Sequence, residues 1–215
     1  MNILAGVAQK HPQSAYAGLQ KSLHQEWAFV QRVTPGVGDA FFPVEVELKE
    51  IFVPELFQGL WEGVPEQGVI RLPVKQAGLA LPDPSQTAPE NWKVSCFITG
   101  HLVAALRGQI EFRTADHSAC LRESLTAVRG RGQIRAEEAL TAALEGAPVL
   151  HARRLRRAAK TGAWLTVQPS TGNGTELGAQ EWRDALFLRY GLETPDLPTY
   201  CDGFQAKLSI SHAFD

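Results

Sequence analysis

The chain has 215 residues, of which 44% are hydrophobic and 20% charged, and its formal net charge at pH 7 is -2. This length is sufficient for a hydrophobic core, and the composition excludes wholesale disorder. The first residues lack the basic and apolar regions of a signal peptide, and the longest uncharged stretch, 94–106, is too short to span a bilayer. We therefore expect a globular protein that is not secreted and has no membrane role.

The first third of the chain is predicted to be helical. Residues 12–33 form one long amphipathic helix that the turn Thr34-Pro35-Gly36 ends, and a second helix covers 44–52. Pro54 is a good first-turn residue and is predicted to start a short third helix that runs through Leu60. The stripe of the long helix consists of Tyr16, Leu19, Leu23, Trp27 and Val30, in steps of 3, 4, 4 and 3 residues.

Residues 59–89 are rich in glycine and proline and are predicted to form an irregular connector. Within it, 69–74 reads as an extended segment, which Pro73 limits to an edge strand. A capping box at 87–90 then predicts the start of a helix whose inner face presents the following apolar or small side chains: Trp92, Cys96, Thr99, Val103 and Leu106.

The rest of the chain is also predicted to be mostly helical. Thr114 caps the next helix, which Gly130 and Gly132 interrupt before it resumes over 134–144. Pro148 starts an arginine-rich helix, 164–168 is strand-like, and 177–190 is a final helix that Gly191 stops. The expected fold class is mainly α, a multi-helix assembly with at most a small strand element. The expected units are 1–80, 81–192 and a tail, 193–215.

The charge is distributed unevenly along the chain. Residues 107–160 contain 11 basic and 6 acidic residues, whereas the flanking segments 1–106 and 161–215 are acidic. Arginine suits phosphate because its planar guanidinium donates two hydrogen bonds at once. The alternative is a solvated helix face whose arginines pair with glutamates. The predicted contacts with a nucleic-acid backbone are Arg129, Arg131, Arg135, Arg153, Arg154, Arg156, Arg157 and Lys160.

The five tryptophans divide into two groups. Trp27, Trp92 and Trp182 lie on the apolar stripes of predicted helices, so we expect them in the core. Trp61 and Trp164 lie near glycines in less regular segments, and for them both the core and a base-stacking role remain open.

The sequence contains no phosphate-binding loop, no dinucleotide fingerprint, no HExxH and no nucleophile elbow. The densest group of titratable residues is Cys96, His101, Asp116, His117 and Cys120. His117 and Cys120 are three residues apart on one helix face and have the side-chain types that bind zinc. Ordinary helix-core and first-turn roles explain the same residues, so both interpretations remain open.

The last fifteen residues match part of a Cys/His motif. A frame C-x2-C-x7-H-x3-C places ligands at Cys201 and His212, but Phe204 occupies the second ligand position and the fourth lies beyond Asp215. Two ligands do not close a structural zinc site, so we expect this motif to be incomplete and not functional. It also suggests a fragment of a longer polypeptide. Three widely spaced cysteines indicate a reducing compartment, nucleus or cytoplasm.

The run Arg71-Leu-Pro-Val-Lys-Gln-Ala-Gly-Leu-Ala-Leu-Pro-Asp83 resembles the "LP-basic-x-GGLGL" stretch that follows the polymerase palm in reverse transcriptases of non-LTR-like retroelements, with Ala77 where the pattern has glycine. Thr34-Pro35 with the preceding Trp27 and Arg32, the run 185–191, Leu197-Pro198 and Cys201-Asp-Gly are similar to the continuation of such polypeptides toward a Cys/His motif.

The resemblance implies the thumb and connector portion of such a protein, with a thumb-like unit in 1–80. The Y-x-D-D carboxylates of the palm are absent from the sequence. The implied protein is not an enzyme, needs no cofactor, and has RNA or DNA as its partner; zinc is expected only in a complete parent protein. The alternatives are a helical structural or protein-interaction module and, third, a zinc-dependent enzyme built on His117 and Cys120.

Overall fold

The computed structural model describes residues 1–60, 67–195 and Tyr200. Helices dominate these residues and no β-strand occurs among them, so the predicted mainly α fold class is confirmed. No helix in the described part of the chain combines the length and the hydropathy that crossing a bilayer requires.

The N-terminal helices are α1 (Asn2–Lys10), α2 (Pro12–Gly18) and α3 (His24–Val33). A single π-helical turn, Leu19–Leu23, joins α2 to α3, so the long helix predicted for 12–33 is confirmed as one continuous rod. Its stripe faces the core as expected at Tyr16 and Leu19, which are 1% and 0% exposed. Burial of these side chains fixes the orientation of the rod.

The second helical stretch is longer than the sequence indicated. After a 3-10 turn at Val37–Phe41, the chain runs through α4 (Phe42–Glu47), a π-helical turn (Leu48–Phe52) and α5 (Val53–Leu56) without a break. The prediction that Pro54 begins a separate helix is therefore wrong. The irregular turn before Pro54 accommodates its missing N–H, which would otherwise interrupt the helix.

The connector is compact rather than extended. It contains a short helix, α6 (Gln67–Ile70), and a 3-10 turn, Val74–Gln76, in place of the predicted edge strand. The segment folds back on itself, since the N–H of Leu79 donates to the Ile70 carbonyl at 2.8 Å. Gly78 permits this turn, because a Cβ on it would lie 1.8 Å from the carbonyl oxygen of Leu72.

Helices α7 (Pro84–Leu106) and α8 (Thr114–Glu145) form an antiparallel hairpin. Helix α7 begins three residues before the predicted capping box, because Asp83 is its cap and accepts a hydrogen bond from the Ser85 N–H at 2.9 Å. Helix α8 is unbroken, so the predicted interruption at Gly130 and Gly132 is wrong. Glycine lowers helix stability without forbidding the helical conformation.

The predicted inner face of α7 is largely exposed to solvent. Cys96 and Thr99 are exposed, and Val103 and Leu106 are 40% and 87% exposed. The hydrogen bonds that join α7 to Gln31 of α3 involve the first residues of α7, Pro84, Thr87 and Asn91, and the apolar spacing beyond them did not correspond to a buried face. The hydrophobic pattern alone could not show which part of this face would be buried.

The C-terminal region consists of α9 (Val149–Lys160), a 3-10 turn (Gly162–Thr166) and α10 (Ala179–Tyr190). The strand expected at 164–168 is therefore absent from this described segment. Gly191 ends α10 as predicted, with φ = 71° in the left-handed region that favours glycine.

One hydrophobic cluster joins the N-terminal helices to α10. Its centre combines Phe52 and Phe57 with Leu186 and Phe187 of α10, all 0% exposed. Trp182 lies in this core at 1% exposure, as its position on an apolar stripe predicted. The cluster includes residues of both expected units, 1–80 and 81–192, and the division into units stays a prediction.

Candidate nucleic-acid interface

Helix α9 separates an apolar face from a basic face. Ala152, Leu155 and Ala158 are 5%, 1% and 2% exposed and pack on the rest of the protein. Four exposed cations lie on the other side at spacings i, i+3, i+4 and i+7, which confines them to an arc of about 100°. We call these four residues the basic stripe: Arg153, Arg156, Arg157 and Lys160.

Three of the four cations of the basic stripe have no ion pair with a described residue. Helix α9 contains no acidic residue. Arg153, Arg156 and Lys160 have no ion pair with any described residue. His151 adds little charge at neutral pH, because burial and then the neighbouring charge of Arg154 lower the pKa of its imidazole.

Arg154 differs from its neighbours on α9. Its side chain is partly buried and donates from Nη1 to the carbonyl oxygen of Gly191 at 3.3 Å. A Cβ on Gly191 would lie 2.3 Å from the same nitrogen, so the glycine leaves room for the guanidinium. Arg154 thus joins α9 to the end of α10, and it is not part of the exposed stripe.

The predicted phosphate contacts on α8 differ from the basic stripe, because two of the three arginines form ion pairs with Glu90. Arg135 contacts Glu90 at 2.6 Å and Arg131 contacts it at 3.8 Å. These pairs fit the alternative prediction of arginines that neutralise glutamates on a solvated face. Arg129 is exposed and has no ion pair among the described residues. Exposed pairs of this kind contribute at most about 1 kcal/mol, so a phosphate can compete for these guanidinium groups.

The position of α9 depends on an arginine that sequence reasoning missed. Arg189 of α10 is 7% exposed, and its Nη1 donates to the Ala158 carbonyl at 2.6 Å. Its Nη2 donates to the carbonyls of Val74 and Gly78 at 3.1 and 3.2 Å. The Ala158 carbonyl lies in the last turn of α9, where the partial negative charge of the helix C-terminus stabilises a buried cation.

Gly162 makes the approach of Arg189 possible. A Cβ at this position would lie 2.4 Å from Val74 Cγ1 and 3.1 Å from both terminal nitrogens of Arg189. Arg183 acts in the same way at the other end of the core, donating from Nη2 to the Ala8 and Gln9 carbonyls at 3.0 and 2.7 Å. The signal available in the sequence was the occurrence of Arg183 and Arg189 directly beside the apolar residues Trp182 and Tyr190 of the last predicted helix.

The residues considered for a metal do not form a site in the described part of the chain. Cys201 and His212 lie outside the described residues. Within them, no three His, Cys, Asp or Glu side chains are grouped as metal ligands would be. The rings of His101 and His117 flank Phe112, each with a centroid distance of 6.0 Å, whereas Cys96 is exposed.

The basic stripe therefore combines exposed charge with a rigid support. Its backbone is fixed by an apolar face below and by Arg189 at its C-terminal end. A row of exposed guanidinium and ammonium groups on a fixed backbone is suited to binding a polyanion, since binding has to order only the side chains and not the helix that carries them. In comparisons with protein-family models, with curated proteins and with solved structures, nothing matches this chain.

Proposed function

We propose that the protein binds the phosphate backbone of RNA or DNA through the basic stripe, as a non-catalytic fragment of a reverse-transcriptase-like retroelement protein. The observation that supports binding is the grouping of four exposed cations on one face of a helix without acids. The retroelement origin rests on the resemblance of 71–83 and the later motifs. The odd number and wide spacing of the three cysteines favour a reducing compartment, the nucleus or the cytoplasm.

The dimensions of the stripe fit a phosphate backbone. Arg153 and Lys160 are seven residues apart, which corresponds to about 10 Å along the helix axis. Phosphates of one strand are spaced about 3.4 Å apart along a duplex axis, so the stripe spans about three intervals. We therefore expect three or four phosphate contacts, with no selectivity for base sequence.

Salt dependence tests this proposal. Fluorescence anisotropy with labelled 20-nucleotide RNA and DNA, single-stranded and duplex, is measured between 25 and 200 mM NaCl. Each neutralised phosphate contributes about -0.9 to the slope of log K against log salt for duplex and about -0.7 for a single strand, so we expect slopes of about -2 to -4. The triple variant Arg153→Ala, Arg156→Ala, Lys160→Ala loses about two thirds of that slope.

A charge-matched control separates the stripe from net charge. Lys10, Lys21 and Lys49 are exposed and lie in the N-terminal helices. Their triple alanine variant removes the same charge and leaves the slope within about 0.5 of the wild-type value. Absence of binding to all four nucleic acids at 25 mM NaCl, or equal losses in both triple variants, contradicts the proposal.

The same proposal predicts that the purified chain incorporates no nucleotides on a primer-template with magnesium. Its basis is the absence of the Y-x-D-D carboxylates, which hold the catalytic metal ions in the polymerases that the chain resembles. Magnesium-dependent incorporation that co-purifies with the protein and disappears with its immunodepletion overturns the assignment as a non-catalytic fragment.

A helical protein-interaction module is the second candidate function. It is favoured by the exposed apolar side chains of the hairpin, Phe97 at 65% and Leu106 at 87%. This function predicts self-association through the hairpin. The double variant Phe97→Ser, Leu106→Ser abolishes this association, and the triple variant of the basic stripe leaves it unchanged. Analytical ultracentrifugation of the two variants distinguishes it from nucleic-acid binding.

A further inference from the structure

A cleft of about 290 Å³ lies beside the basic stripe, where the end of α9 meets α10. Three of its lining residues are arginines and none is acidic. Arg157 belongs both to this lining and to the stripe, so the cleft opens next to the path of a bound backbone. The lining residues are Arg154, Arg157, Ala158, Thr161, Trp164, Ala185, Leu188 and Arg189.

Trp164 provides an aromatic surface in this cleft. It is partly buried, and its ring meets that of Trp182 at 79° with a centroid distance of 6.1 Å. The two rings are therefore not stacked on each other. Trp182 is 1% exposed and completes the core. Trp164 lies at the edge of that core and lines the cleft.

The other walls suit a flat apolar group. Ala158 and Ala185 have small side chains, and Leu188 is 38% exposed. Of the three arginines in the lining, Arg157 is exposed and supplies positive charge at the edge of the cleft, and no lining residue is a carboxylate that would repel phosphate. The volume is near the lower end of the roughly 300–1,000 Å³ of ligand pockets, which is enough for one planar ring and not for a helix or a base pair.

From this arrangement we infer that the cleft receives an unstacked base of single-stranded nucleic acid, with Trp164 as its stacking partner. The inference deepens the proposed function and rests on it: the backbone lies on the stripe, and Arg157 joins the two sites. Bases of a duplex are stacked inside the helix and do not reach such a cleft, whereas every base of a single strand has a free π face. The expected ligand class is single-stranded RNA or DNA.

The test compares the affinities of oligonucleotides that carry bases with that of an oligonucleotide of equal charge that carries none. Anisotropy at 50 mM NaCl measures binding of a 12-nucleotide oligothymidylate, its RNA counterpart and a fully abasic 12-mer with the same number of phosphates. One base stacked on an aromatic side chain corresponds to about 5- to 150-fold in affinity, so the wild-type chain binds the base-bearing strands at least about 5-fold tighter than the abasic one.

Substitutions then locate the preference. Trp164→Leu reduces the ratio of the affinities for base-bearing and abasic strands to about 1 and leaves the salt slope unchanged. Trp164→Phe retains most of the preference for base-bearing strands. Ala185→Leu fills the cleft without altering the tryptophan and also lowers the ratio toward 1. Trp92→Leu is the matched control, because Trp92 is a partly buried tryptophan of α7 that does not line the cleft.

A covalent readout identifies the contact directly. Single strands that contain 5-iodouracil are irradiated with the wild-type chain, and the crosslinked peptide is identified by mass spectrometry. We expect the crosslink at Trp164 and its loss in Ala185→Leu. Circular dichroism and thermal melts establish that each variant is folded, and Ala185→Leu decides the question if Trp164→Leu is not.

The outcomes separate the two proposals. A wild-type ratio of 1, or a ratio that both Trp164→Leu and Ala185→Leu preserve, overturns the stacking site, while salt-dependent binding of the abasic strand still supports backbone contact. Absence of binding to every strand, the abasic one included, overturns the proposed function and the stacking site with it. If only the RNA or only the DNA strand shows the preference, the sugar of the ligand is identified.

Discussion

Arg189 of α10 donates a 2.6 Å hydrogen bond from Nη1 to the carbonyl oxygen of Ala158, in the last turn of α9. The same guanidinium reaches the carbonyls of Val74 and Gly78 in the connector. One buried side chain thus joins three segments that are distant in sequence. Because α9 presents the basic stripe, this contact also fixes the position of the proposed interface.

We predict that Arg189→Met lowers the free energy of unfolding by about 3 kcal/mol. Methionine fills a similar volume but cannot donate, so three carbonyl groups lose a charged donor and stay buried. Urea denaturation followed by circular dichroism at 222 nm measures the change. Arg156→Met on the exposed stripe is the control and is expected to alter the value by no more than about 0.5 kcal/mol. Equal effects of the two substitutions would contradict the anchoring role of Arg189.

The glycines of α8 and of the connector should respond in opposite directions to the same substitution. A Cβ on Gly130 or Gly132 meets no heavy atom within 4 Å, and both residues lie inside an unbroken helix. Gly130→Ala and Gly132→Ala should each raise the free energy of unfolding by about 1 kcal/mol. Gly78→Ala should lower it by more than about 2 kcal/mol, since the new Cβ collides with backbone. Thermal and urea unfolding of the three variants tests the difference in sign.

The cap of α7 should make stability depend on pH in the acidic range. Burial by itself raises the pKa of Asp83, but hydrogen bonds from Ser85 and Arg71 outweigh burial and hold the pKa below its usual range. A carboxyl with a lowered folded-state pKa stabilises the protein fully above the unfolded value of about 3.9, and this contribution is lost as pH falls through the folded value. Asp83→Asn should therefore cost most at neutral pH and progressively less below about pH 4.

The measurement is the difference in unfolding free energy between wild type and Asp83→Asn from pH 7 to pH 2.5. Asparagine retains a capping oxygen, whereas Asp83→Ala removes it and should cost about 1 kcal/mol more throughout that range. The comparison separates the charge of Asp83 from its role as a cap. A difference that grows as pH falls is incompatible with the lowered pKa.

Local patterns in the sequence were sufficient for the helical class and for several elements. The apolar stripe from Tyr16 to Val30 predicted the long N-terminal helix, and the arginine-rich helix α9 follows Pro148, which was predicted to start it. Gly191 ended the last helix in the conformation expected for it. These features depend on side-chain periodicity and on backbone preferences that act over one or two turns.

The tertiary structure alone decided the features that depend on distant partners. The sequence did not indicate that the C-terminal part of α7 would stay exposed. It also did not indicate that Glu90 would pair with Arg135, 45 residues away, or that Arg189 would donate to carbonyls more than 100 residues away. Trp164 lines a cleft only because α9 and α10 meet beside it. Periodicity shows which face of a helix is apolar. It does not show which segment covers that face or which cations stay exposed, because both depend on packing between segments that are distant in sequence.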